Sequence, residues 1–156
     1  MNKDKKIFQS YKLGSIELNN HIAMAPMTRS RAIGNIPNDL MAKYYSQRAG
    51  AGLIITEGTT SSPNGLGYAR ISGIYNKEQV EGWKKITTAV HEKNGKVFLQ
   101  IMHTGRISHP ANMPEGAKML APSALKAAGQ MWTDTQGLQD YPIPNSMTAE
   151  EIRITK

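Results

Sequence analysis

The chain contains no cysteine. That excludes disulfides, thiolate metal sites and a cysteine nucleophile, while leaving the redox compartment open. No apolar run approaches the roughly 18 residues that a membrane-spanning helix requires, so no membrane role is expected. Residues 1–6 are charged and no apolar signal core follows them, so a secretory leader is not expected either. The cytoplasm is the expected location. Also missing is any G-x-G-x-x-G run after a strand-like segment, which leaves a Rossmann dinucleotide site without support.

What is present is ordinary globular material. The 156 residues are 39% hydrophobic and 20% charged, enough for one domain with a real core. The net charge of +7 raises the question of nucleic acid. Such binders concentrate Lys and Arg on one stripe or helix face. Here Lys3, Lys5, Lys6 and Lys12 lie near the start, Arg29 and Arg31 in one loop, and Lys84 and Lys85 further on. The scatter reads as a solvated basic surface, and no nucleic-acid partner is expected.

Periodicity divides the chain. Residues 7–18 read as two extended pieces around Leu13-Gly14-Ser15, a short hairpin. His21-Ile22-Ala23-Met24-Ala25-Pro26 is a compact apolar run that suits a strand buried on both faces. Asn38 or Asp39 caps a helix whose apolar residues fall at Met41, Tyr44, Tyr45 and Ala49, with Gly50 ending it. Residues 53–56 form a second buried run. Asn76 and Gln79 resemble a capping box, opening a helix with Val80, Trp83, Thr87 and Val90 on one face. Asn94-Gly95 closes it, and residues 96–102 supply a third buried run. Thr148 with Glu151 caps a third helix.

The order after the hairpin is strand–helix three times over. Strands buried on both faces and alternating with helices predict a parallel sheet with right-handed crossovers. The helix-to-strand links are tiny, at Gly50-Ala51-Gly52 and Asn94-Gly95. The strand-to-helix loops are long, at 27–37, 58–75 and 103–147. Elaboration at the carboxyl ends of the strands is where α/β folds build their sites. The expected class is α/β, a partial (β/α)8 TIM barrel of about three βα units preceded by a short hairpin. A closed barrel takes eight strands and typically ~250 residues. Three strands cannot close, so uncovered edges and apolar faces predict self-association.

Specific residues extend this reading. Asn20-His21-Ile22-Ala23-Met24-Ala25-Pro26-Met27-Thr28-Arg29 resembles the first-strand motif of the Old Yellow Enzyme family. Tyr44-Tyr45-Ser46-Gln47-Arg48-Ala49 and Gly52-Leu53-Ile54-Ile55-Thr56-Glu57-Gly58 are similar to its first helix and second strand. Ser62-Pro63, Gly67-Tyr68 and Gly73-Ile74-Tyr75 resemble the loop that follows. Gln100-Ile101-Met102-His103-Thr104-Gly105-Arg106 resembles the third strand and its exit, and Ala121-Pro122-Ser123 a later loop. The likeness runs in order from about Phe8 to Ile152. It sits closest to the bacterial N-ethylmaleimide reductase-like branch.

The resemblance implies residues 1–156 as the N-terminal part of a single FMN-binding TIM-barrel domain. Pro26, Met27 and Thr28 match the segment along the isoalloxazine ring, and Gly58 a close backbone approach to it. Gln100 matches a carboxamide facing the pyrimidine edge, whose alternating carbonyl and N–H groups suit a side chain that both donates and accepts. Tyr68 and Met102 match positions near the substrate, though many relatives carry Trp where Met102 stands. Each also has a plain structural reading: Thr28 satisfying a backbone group, Gln100 paired within the barrel, Gly58 serving a turn.

The implied reaction passes a hydride from NADPH or NADH to the flavin and on to the activated C=C of a small enone-type substrate. A His–Asn or His–His pair holds the substrate carbonyl, and a nearby Tyr supplies a proton. In the family this set follows the fourth strand. His91 with Asn94, and His109 with Asn112, have the spacing but fall on the wrong face and one strand too early. No catalytic residue is therefore assigned here, and the loops of the seventh and eighth strands, which commonly hold the phosphate, have no counterpart. The expectation is a truncated ene-reductase portion, inactive alone. The alternative is a non-catalytic module that associates with itself or with a complementary half-barrel. Neither NADH nor NADPH is singled out.

Overall fold

The computed structural model describes residues 5–155. Lys3 and Lys156 therefore lie outside the described residues. The chain opens with a 3-10 turn at Lys6–Phe8 and an antiparallel hairpin of β1 (Tyr11–Leu13) and β2 (Ile16–Leu18). The hairpin thus begins later than expected. The repeating unit follows: β3 (Ala23–Met24), α1 (Asp39–Ser46), β4 (Leu53–Thr59), α2 (Lys77–His91) and β5 (Val97–Ile101). Strands β3, β4 and β5 form one parallel sheet in that spatial order. The long segment after β5 carries β6 (Leu120–Ala121), β7 (Gln130–Thr133), β8 (Gly137–Asp140) and β9 (Asn145–Ser146) before α3 (Ala149–Thr155).

The helix starts form as their sequences dictate. Asn38 accepts the Met41 amide at 3.2 Å, and Asn76 accepts the Gln79 amide at 2.9 Å. At α2 the reciprocal bond is displaced by one residue. The Gln79 side chain accepts from the Tyr75 amide at 3.0 Å, one position before the cap. At α3 the box closes fully, with the Thr148 amide on Glu151 Oε2 at 2.8 Å and the Glu151 amide on Thr148 Oγ1 at 3.2 Å. Asn76→Ala is expected to cost about 1 kcal/mol of unfolding free energy, read as a lowered urea midpoint with unchanged slope.

Both long helices pack on the same face of the sheet. Met41, Tyr45, Ile54, Trp83, Ile86 and Val90 are buried together, with Met24, Val97 and Leu99 packed against them. Gly82 lets α2 approach the segment that leads into α1, because a Cβ there would run into the Pro37 carbonyl oxygen. The helix buries Gln79, Gly82 and Ile86, which the spacing argument did not select, while Val80 and Thr87 are half-buried.

The expectation of three strands buried on both faces holds only for β4, the central strand. Ala23 of β3 is exposed, and β5 leaves Phe98 44% and Ile101 57% exposed. On β5 the alternation is decisive: Val97 and Leu99 reach the helix-side core, so Phe98 and Gln100 point to the opposite face of the sheet. Helices α1 and α2 both pack on the other face. Gly58 also moves. It lies inside β4 and pairs with Gln100 of β5, rather than opening the loop.

Candidate functional site

Residues 26–28, Gly58, Gln100 and Met102 all lie at the carboxyl end of the sheet. The register sets their levels: Met24 pairs with Ile54, Ile54 with Val97, and Gly58 with Gln100. Thr28 follows Met24 by four residues, as Gly58 follows Ile54. The exit from β3 is held beside β4 by the Arg29 amide, which donates to Glu57 Oε2 at 3.3 Å. The exit from β5 is held by the Met102 amide on the Thr59 carbonyl at 2.9 Å.

Within this frame Thr28 and Gln100 are exposed, and neither side chain has a hydrogen-bond partner among the described residues. The plain readings offered for them, backbone satisfaction and pairing within the barrel, do not describe these side chains. Gly58 is buried, and its bareness has a visible cause. A Cβ on it would meet Met102 Sδ at 2.7 Å. Met102 therefore lies across Gly58, and the two predicted positions are in contact. Pro26 is half-buried and Met27 is 45% exposed.

Tyr68 joins Thr28 in a cleft of about 230 Å³. Its other walls include Met131, Trp132 and Tyr141 from the β7–β8 hairpin region. Sequence reasoning missed these three residues. The signal was present, since Met131 and Thr133 are buried while Gln130 and Trp132 are exposed, a period-2 pattern inside what read as one long loop. Gln100, Gly58 and Met102 do not line this cleft. The site thus has two parts, a Thr28–Tyr68 cleft and a Gly58–Gln100–Met102 floor.

Glu57 is the second omission. It is 1% exposed, on the helix side of β4. Tyr45 donates its hydroxyl to Glu57 Oε1 at 3.2 Å, and the Glu57 amide donates to the same hydroxyl oxygen at 2.9 Å. Burial pushes the Glu57 carboxyl above the ordinary glutamate range, against the pull of the Arg29 amide, the Tyr45 hydroxyl and the charges of Arg29 and Arg31. Folding therefore holds this proton more tightly than the unfolded chain does. The contribution of Glu57 to stability is greatest below the ordinary glutamate value and is lost as pH climbs through the raised one. Urea midpoints across a pH series are expected to fall through that window, and Glu57→Gln is expected to flatten the fall.

The two His–Asn pairs fall in different settings. His91 and Asn94 are exposed at the end of α2, and the Asn94 carbonyl accepts from Asn19 Nδ2 at 3.0 Å. His109 caps a 3-10 turn by accepting the Ala111 amide at 3.2 Å. Asn112 Nδ2 donates to the carbonyls of Gly67 and Trp132, both at 2.9 Å, which stitches the hairpin to the loop bearing Tyr68. The second pair is thus engaged locally, and the first lies at the end of α2, away from Thr28, Gly58 and Gln100. No group of three or more metal-ligating side chains is found among the described residues, and no helix there is long and apolar enough to cross a membrane.

Comparison with known proteins adds independent information. The family model described as NADH:flavin oxidoreductase / NADH oxidase matches residues 6–155. The rice (Oryza sativa subsp. japonica) protein 12-oxophytodienoate reductase 7 is 40% identical over 153 residues, which is 96% of this chain and 39% of that protein. A Leishmania infantum protein, "Probable flavin mononucleotide-dependent alkene reductase", is 44% identical over 146 residues, 90% of this chain and 40% of its own length. Morphinone reductase solved in complex with tetrahydroNAD superposes with a TM-score of 0.88 at 42% identity, over 94% of this chain and 42% of that one. The chain spans about two fifths of the length of these relatives.

Proposed function

The chain belongs to the NADH:flavin oxidoreductase / NADH oxidase family, the FMN-dependent Old Yellow Enzymes that its motifs resemble, and on that premise we propose that it forms the flavin-edge portion of an ene-reductase. One observation carries the reading. At the carboxyl end of a parallel sheet, a hydroxyl (Thr28) and a carboxamide (Gln100) stand exposed, with no hydrogen-bond partner among the described residues, on either side of a central strand whose Gly58 has no side chain. That donor set fits the pyrimidine edge of FMN, which offers carbonyls and an N–H in alternation. Bound FMN supplies hydride transfer from NADH or NADPH to an activated C=C. Thr28 would donate to a flavin carbonyl, Gln100 would donate and accept along the same edge, and Pro26 and Met27 would line the ring. Tyr68 and Met102 bound the substrate side. The three strand–helix units are three of the eight of a TIM barrel, within a single domain, and the expected setting is the cytoplasm.

These 156 residues by themselves are proposed to be inactive. His109 and Asn112 are engaged in local bonds, and His91 and Asn94 lie at the end of α2, so neither pair is taken as a carbonyl clamp beside Thr28. A flavin edge without a phosphate cradle predicts saturable but weak FMN binding, with a Kd on the order of 10⁻⁴ to 10⁻³ M. Titration by flavin absorbance tests the first part, and complete absence of saturation would sink it. NAD(P)H oxidation with an enone acceptor tests the second; turnover by this chain alone would overturn the inactivity.

A second reading, an interaction module, is favoured by the exposed apolar residues Met27, Phe98 and Ile101 and by edge strands β3 and β5. It predicts concentration-dependent association in sedimentation. A clean monomer with one cooperative unfolding transition would argue against it.

A further inference from the structure

The buried carboxyl of Glu57 has no part in the flavin reading, yet it touches the segment on which that reading depends. Arg29 directly follows Thr28. Among the described residues its amide is the one backbone donor between Met27 and Ser30 with an acceptor, and that acceptor is Glu57 Oε2 at 3.3 Å. Glu57 is in turn rigid. Tyr45 of α1 holds both its Oε1 and its amide, and the residue is 1% exposed. Beyond Arg29 the chain turns through Ser30 at φ 53°, and Arg31 closes that turn with its guanidinium on the Arg29 and Ser30 carbonyls at 2.8 and 3.2 Å. The Arg31 guanidinium braces the turn internally, while its carbonyl accepts from Asn38 Nδ2 at 2.7 Å and the Arg29 guanidinium lies 5.8 Å from the Tyr44 ring centroid, ties that reach α1 but not β4. Across the gap from the β3 exit to β4, Glu57 is the anchor.

We propose that Glu57 is a positioning residue: through the Arg29 amide, its carboxyl ties the exit of β3 to the rigid β4–α1 core and so sets the place of the Thr28 hydroxyl. The consequence for Thr28 rests on the flavin reading; the tether itself does not. The charged and titratable groups facing this carboxyl are Arg29 and Arg31 from the loop and Tyr45 from α1. The α1 hydroxyl both donates and accepts, which leaves the second carboxyl oxygen free for the loop. An acceptor oxygen, rather than a charge, is what the tether needs. A glutamine can turn its carbonyl to the Arg29 amide and its NH₂ to the Tyr45 hydroxyl oxygen. A leucine fills the space and offers nothing.

The test is residue-resolved amide exchange on the 156-residue protein without flavin. In the unmutated protein the Arg29 amide is expected to exchange about tenfold more slowly than those of Thr28 and Ser30, after correction for intrinsic rates. Glu57→Gln keeps that protection and Glu57→Leu removes it. Equal exchange of the three amides in the unmutated protein would overturn the proposal even if the leucine variant did not fold. So would protection surviving in Glu57→Leu, or lost in Glu57→Gln. A second arm reads the FMN Kd. Glu57→Leu and Thr28→Val are expected to weaken binding, and their combination to weaken it no further than the worse single change. Additive losses would break the link to Thr28. Absence of FMN binding by the unmutated protein would count against the flavin reading, and the exchange data would still decide the tether.

Discussion

Replacing Trp83 by alanine is expected to lower the unfolding free energy by about 3–5 kcal/mol. Trp83 sits on α2, 4% exposed, with its ring centroid 6.4 Å from that of Tyr45 on α1. Its indole N–H donates to the Gly73 carbonyl at 3.2 Å. Truncation therefore leaves a cavity between the helices, orphans a buried carbonyl and frees the loop that carries Ser72 and Gly73 back towards Thr60. Small domains are stable by only ~5–15 kcal/mol, so the loss takes a large share of the whole. Trp83→Phe keeps most of the volume and drops the hydrogen bond, so its cost is expected near 1–2 kcal/mol. Urea unfolding followed by circular dichroism separates the two. Equal small shifts would show that the helix pair contributes far less than its burial indicates.

That core was largely readable from the sequence. Met41, Tyr45, Trp83 and Val90 recur at helical spacing, and Asn38 and Asn76 mark the helix starts. The parallel order followed from alternating strand and helix patterns, because no other connection of such elements packs both helices on one face. What the sequence did not reveal depends on contacts distant along the chain. Glu57 reads as one polar residue in Ile-Ile-Thr-Glu-Gly; its partners lie 12 and 28 positions away. Gly58 reads as opening the loop after the second strand, and only the β4–β5 register shows it inside β4 with Met102 lying across it. The β7–β8 hairpin escaped because four-residue strands inside a long loop give too few periods to stand out. Burial of β3 and β5 was overestimated for a related reason. An apolar run says that a strand can be covered on both faces, whereas which faces are covered depends on what packs there.

The second large effect concerns the flavin edge. Thr28→Val combined with Gln100→Leu is expected to weaken FMN binding about 10- to 100-fold, enough to take weak binding below detection. Each single change removes one polar partner of the ring, costing roughly 0.5–1.5 kcal/mol. Thr28→Ser retains the hydroxyl and is expected to stay close to the unmutated protein. Gln100→Glu keeps two acceptors, loses the donor and brings a negative charge to a ring edge that becomes anionic on reduction, so it is expected to bind less well than Gln100→Leu. Neither native side chain makes a hydrogen bond among the described residues, and both are exposed. The variants should therefore leave the unfolding free energy from urea titration within about 0.5 kcal/mol of the starting protein. This separation gives the experiment its force. A loss of FMN binding accompanied by a comparable loss of stability would mean that the two residues hold the fold together. A loss of binding at constant stability is what a ligand-facing hydroxyl and carboxamide require.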